Sequence, residues 1–344
     1  MLVKQAKNVA EAWVYQEGSK LPDLQGVYLV GSVTALADDA HMSEYSDVDV
    51  TVVMKGRPER KLGKFRYQGV LLEVSFEEWE TIQSPEAVLG HPHLAGGIRS
   101  MHVVADPTGH LSRLQEEVAS RYACRRWVRE RCREATSKAA GMLKSVERQA
   151  LLHDLATAWL FGTSLTTLIL LLAGLRAPTV RRRYVEVREL LAEQGRPEFY
   201  EALLTLLGCC NWTRRQTEEH LDAVAAAFDR AKCMPKGEFP YAADISDAAR
   251  PVAVEGSRAL IEQGRHREAV YWMVATYCRC CWIFHFNGFN DPGDRYHQGY
   301  RSMLGDLGIG SVADLRARSR DVLAFLPRVT EVAEAIATGT PAKE

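Results

Sequence analysis

Gly26-Val27-Tyr28-Leu29-Val30-Gly31-Ser32, followed after a polar spacer by Ser46-Asp47-Val48-Asp49-Val50-Thr51-Val52-Val53, decides how this chain reads. The first run is a short apolar strand ending at a glycine. The second is an apolar strand carrying two carboxylates at i and i+2. Residues two apart on a strand point to the same face. Asp47 and Asp49 therefore project together, while Val48, Val50 and Val52 turn to the opposite, buried side. Two adjacent carboxylates repel each other and cost stability unless positive charge sits between them. A hard divalent cation answers that need, and Mg²⁺ typically binds through one or two carboxylates plus substrate phosphates.

Neighbouring segments support the same chemistry. Gly31 lets the backbone approach a phosphate, and Ser32 opens a helix expected over 33–40, whose N-terminus offers free N–H groups. A third carboxylate, Glu73, lies in Val70-Leu71-Leu72-Glu73-Val74-Ser75-Phe76, again a polar residue inside an apolar strand. A charge there is expensive unless it is paired or metal-bound.

Taken in order, Gly31-Ser32, Asp47-Val48-Asp49 and Glu73 resemble the DNA-polymerase-β-like nucleotidyltransferase superfamily over roughly residues 26–76. Within it the chain is most similar to the branch of the aminoglycoside (kanamycin-type) nucleotidyltransferases. One departure is a spacer, 33–46, longer than is usual there. The resemblance implies an α+β chain: a small nucleotidyltransferase domain with a mixed β-sheet flanked by helices over 1–115, then an all-α helical bundle over 116–344. It implies Asp47, Asp49 and Glu73 as catalytic and metal-binding residues, with two Mg²⁺ ions as cofactors. Glu73 would be a ligand or the general base, and Gly31 and Ser32 would hold the nucleotide phosphates. The implied partners are a nucleoside triphosphate and a small hydroxylated acceptor, an aminoglycoside-like antibiotic or a biosynthetic intermediate. The alternatives are a toxin–antitoxin-type enzyme modifying protein or RNA, and a nucleotide sensor without turnover.

The formal net charge of −1 supplies no global field to recruit long nucleic acid or an anionic membrane. Eight cysteines among apolar neighbours do not follow a disulfide rhythm, and the charged, amphipathic start is unlike a secretory signal. A reducing cytoplasm is the expectation. The uncharged run 155–175 is long enough to span a membrane. Its Thr157, Thr163, Ser164, Thr166 and Thr167 favour a helix buried on every side of an all-α domain. A second subunit completing the site, as in a homodimer, stays open.

Along the chain, a helix over 1–20 and strands near 26–30, 47–54, 69–76 and 101–105 are expected, with a helix over 77–89. Beyond Gly109 the period is helical, giving five to seven helices. Residues 55–66 read as a basic loop able to guide a triphosphate or simply to sit in solvent. Weaker candidates are His91 and His93, Glu77 and Asp154 as bases, Arg181-Arg182-Arg183 with Tyr184, and Cys278, Cys281 and His285 at zinc-like spacing. The pair Arg215 and His220 has the Arg-x₄₋₆-His spacing of RNA-cutting helical domains.

Overall fold

The computed structural model describes residues 1–21, 23–56 and 62–339. The described residues form two compact units, 1–131 and 132–339, and the division falls inside a helix, Arg125–Ser145.

The first unit is built on a five-stranded sheet of β1 (Leu24–Val30), β2 (Val48–Met54), β3 (Gly63–Tyr67), β4 (Val70–Glu78) and β5 (His102–Ala105), in the order β3-β4-β2-β1-β5. β2 and β4 are parallel and every other pair is antiparallel, so the sheet is mixed, as expected. Alternation along the strands decides what each face meets. Val48, Val50, Val52, Leu72 and Val74 pack against Val3, Ala6, Ala10 and Val14 of α1 (Val3–Gln16). Tyr28 and Val53 turn the other way, onto Val88, Ile98, Leu111 and Leu114. Those residues come from α3 (Pro85–Gly90), α4 (Leu94–Ile98) and α5 (His110–Arg121).

Three expectations for this unit need correction. The helix expected over 33–40 is a single turn, α2 (Ser32–Ala35). The chain beyond it is tied to the start of α1, where Val3 N–H donates to Ala40 O at 2.9 Å and Lys4 N–H to Asp38 O at 3.0 Å. These are donors a helix start leaves without intrahelical partners, and serving them holds the segment open. The helix expected over 77–89 begins only at Pro85, because β4 runs on to Glu78. Part of the expected basic loop is a strand: β3 pairs with β4 through a two-residue turn in which Gln68 and Gly69 both have positive φ, the geometry of a tight hairpin. Residues 57–61 of that loop lie outside the described residues.

The second unit is all-helical. It contains the rest of Arg125–Ser145 (α6), then α7 (Leu152–Ala173), α8 (Arg183–Glu193), α9 (Pro197–Leu207), α10 (Arg214–Ala231), α11 (Gly256–Glu262), α12 (His266–Phe286), α13 (Arg295–Asp306) and α14 (Val312–Gly339). That is more than the five to seven expected, because Gly208, Gly264 and Gly308 end helices in left-handed conformations. α7 is the one helix among the described residues long and apolar enough to cross a membrane, and 89% of its apolar window is buried within the protein. It packs against α8, α9, α12 and α14. Two of its buried hydroxyls bond within the helix, Thr166 Oγ1 to Thr163 O at 2.7 Å and Thr167 Oγ1 to Ser164 O at 2.6 Å.

Candidate active site

Strand register brings the acidic residues together. Asp49 in β2 lies directly opposite Glu73 in β4, Glu73 opposite Lys64 in β3, and Asp49 opposite Val30 at the end of β1. Side chains in one such row share a face. Asp47, two residues before Asp49, joins it from the loop leading into β2. One carboxylate oxygen from each of Asp47, Asp49 and Glu73 falls within 4.8 Å of the others, the one group of this kind among the described residues. The helices α3–α5 cover this face of the sheet at the Tyr28–Val53 end. The carboxylates stand at the other end, beside Gly31.

Gly31 has a φ of +80°, and a Cβ there would collide with the Asp49 carboxylate. The glycine is thus required twice, by its backbone angle and by its approach to the acid. Gly31→Ala should cost about 1–3 kcal/mol in urea unfolding through strain. It should also displace Asp49, which metal titration of the same variant would detect.

Lys64 is the residue that sequence reasoning missed. Its ammonium, 7% exposed, contacts both Asp47 and Glu73 at short range. Burial pushes Asp47 up, but the charge and hydrogen bond of Lys64 outweigh it and hold the carboxyl below its ordinary range. Asp49 goes the other way. Burial, reinforced by the Asp47 and Glu73 charges, lifts it well above the usual carboxyl value. Three hard oxygen donors, two of them now against an ammonium, could hold a cation in its place, and all-carboxylate donors suit a hard divalent ion.

Other expected residues are used elsewhere. Glu77 lies on β4 two positions beyond Ser75, and burial raises its carboxyl. His91 Nδ1 accepts from the backbone of Leu94 at 3.1 Å, capping α4. Asp154 sits in the first turn of α7, 3.8 Å from His153 Nε2. Arg183 is buried, donating to Ser164 Oγ at 2.9 Å and Thr179 O at 2.8 Å, and Tyr184 is buried beside it. Cys278 is buried against the Tyr300 hydroxyl, its thiol pushed up to about 11 by burial. With Cys281 and His285 it forms no close ligand group. Arg215 and His220 do not converge either. Five residues apart on a helix, they point about 140° from one another; Arg215 pairs with Glu219 at 2.9 Å and His220 with Asp306 at 2.7 Å.

No family model and no curated protein matches the chain. Among solved structures it is similar to a nucleotidyltransferase-like protein from Exiguobacterium sibiricum 255-15, at 12% identity over 88% of this chain and 89% of that one, with a TM-score of 0.26. A TM-score of that size does not establish a common fold.

Proposed function

We propose that the protein is a magnesium-dependent nucleotidyltransferase. It would move a nucleoside monophosphate from a nucleoside triphosphate to a hydroxyl of a small acceptor, releasing pyrophosphate. The observation that supports this most is the row in which Asp49 faces Glu73 across paired strands, with Asp47 joining it and Gly31 pressed against Asp49. Asp47 and Asp49 would hold the metal, and Glu73 would complete the set or take the proton from the acceptor hydroxyl. Bound magnesium supplies charge stabilisation to the attacking and leaving oxygens of an in-line displacement at phosphorus.

The chain's own residues prepare the site. Lys64 neutralises Asp47 and Glu73 until a stronger cation competes for the same oxygens. Gly31 and Ser32, both exposed at the end of β1, would meet the triphosphate through their backbone. Asp39 and Glu44, exposed in the segment leading to Asp47, would favour a cationic acceptor of the aminoglycoside kind.

Calorimetric titration with each of four nucleoside triphosphates tests the reading. Tight binding that needs Mg²⁺ and disappears in Asp47→Asn supports it. Failure of every triphosphate to bind refutes it. Lys64→Met offers a separate check. Losing the competing ammonium should tighten Mg²⁺ by at least about tenfold, roughly 1.4 kcal/mol, and lower the melting temperature of the metal-free protein. Unchanged Mg²⁺ affinity would mean that the ammonium and the metal do not share a place.

A further inference from the structure

The helical unit holds a cavity of about 120 Å³ that the proposed reaction does not use. Three histidines from three helices line it: His153 at the start of α7, His285 in the last turn of α12, and His297 in the first turn of α13. Arg301, one turn beyond His297, lines it too, and so does Asn290. No carboxylate does. His285, Asn290 and Arg301 are exposed, so they form the rim, while His153 is buried at 8% exposure and belongs to the floor.

The hydrogen bonds orient two of the rings. His297 Nδ1 is 2.5 Å from Asp294 Oδ2. A carboxylate only accepts, so this nitrogen carries the proton and Nε2 is left for a second partner. His285 Nδ1 is likewise engaged, 3.2 Å from Asn290 Oδ1. His153 Nε2 is buried with no hydrogen-bond partner, 3.8 Å from the Asp154 carboxylate. Burial is the main cause that pushes its pKa down, against the Asp154 charge that raises it. Buried polar atoms are ordinarily satisfied, and an unsatisfied one asks for a missing partner. Arg301 has no ion-pair partner among the described residues.

The cavity is several times the roughly 10–15 Å³ that one water occupies on this measure, so it has room for a polyatomic group. A metal ion fits less well. The three imidazoles do not form a close ligand group, and the Arg301 guanidinium would repel a cation. A tetrahedral oxyanion instead offers several acceptor oxygens to donors arriving from different helices, and a guanidinium fork matches two of them at once.

We propose that this cavity binds a phosphate group, free or carried as a small phosphomonoester, with Arg301 and His153 Nε2–H as donors and with His285 and His297, whose Nδ1 protons are already engaged, donating through Nε2 as imidazolium cations. The site is separate from the carboxylate cluster and does not depend on the nucleotidyltransferase reading.

The test uses the full-length protein without Mg²⁺, titrated by calorimetry with inorganic phosphate, with glycerol 3-phosphate, and with acetate at matched ionic strength. The imidazole C–H signals of His153, His285 and His297 are followed by NMR in parallel. Saturable binding of either phosphate compound but not acetate, with shifts in those signals, is the expected result. Stronger binding of the ester would identify a phosphomonoester as the ligand, and the reverse would identify free phosphate. Arg301→Met, at the exposed rim where folding is not at stake, should weaken binding by at least about tenfold. Asp47→Asn should leave it unchanged, so failure here and failure of the transferase reading are distinguishable. Binding insensitive to Arg301→Met, or no saturable binding, overturns the proposal. So does stoichiometric zinc uptake at the same histidines with no response to phosphate.

Discussion

Asp49→Asn is expected to abolish turnover while leaving the protein at least as stable as before. Loss of one charge-stabilising group at a reacting phosphoryl centre should cost about 10²–10³-fold or more, about 2.7–4 kcal/mol at 1.36 kcal/mol per decade. Stability moves the other way for an electrostatic reason. In the metal-free protein, burial and the Asp47 and Glu73 charges raise the Asp49 pKa. A carboxyl raised on folding contributes stability that is fully present below the unfolded pKa and lost as pH rises through the folded value. At neutral pH the native site therefore carries a penalty that asparagine removes. The melting temperature of Asp49→Asn should equal or exceed that of the parent at neutral pH, and the advantage should vanish in acid. Added Mg²⁺ should raise the melting temperature of the parent alone. A variant that is inactive because it is unfolded would contradict this account.

Trp159→Ala carries the largest expected structural effect. Trp159 is fully buried near the middle of α7, the helix against which α8, α9, α12 and α14 pack. Truncating a buried tryptophan typically costs about 3–5 kcal/mol, a large part of the roughly 5–15 kcal/mol that holds a whole domain together. Hydrogen exchange should show protection collapsing throughout the helical unit, while β1, β2 and β4 keep theirs. Persistence of protection along α7 in the variant would show that the helix is not the core of that unit.

The two strands that carry the acids were legible because each sets its charges in an apolar, period-2 background. Val48, Val50 and Val52 mark the buried face around Asp49, and Leu72 and Val74 flank Glu73. The parallel pairing that puts Asp49 opposite Glu73 was not legible, since register between distant strands leaves no local mark. Lys64 was missed because its alternation with Phe65 and Tyr67 is short and sits at the end of a run rich in lysine and arginine. Yet Phe65 packs on Trp13 of α1, with ring centroids 5.7 Å apart, which is what turns Lys64 to the acidic face. The hydroxyls of the 155–175 run pointed to a buried helix, and several of them bond within α7. The histidine cavity escaped because its side chains come from three helices far apart in sequence.

Pyrophosphate release by the purified protein addresses the central claim most directly. It would be measured with Mg²⁺ and each nucleoside triphosphate, with and without a panel of aminoglycosides, beside Asp49→Asn. The account predicts release that depends on Mg²⁺ and on an acceptor and is lost in the variant. Release unchanged in Asp49→Asn, or none with any triphosphate and acceptor together with no triphosphate binding, would contradict it.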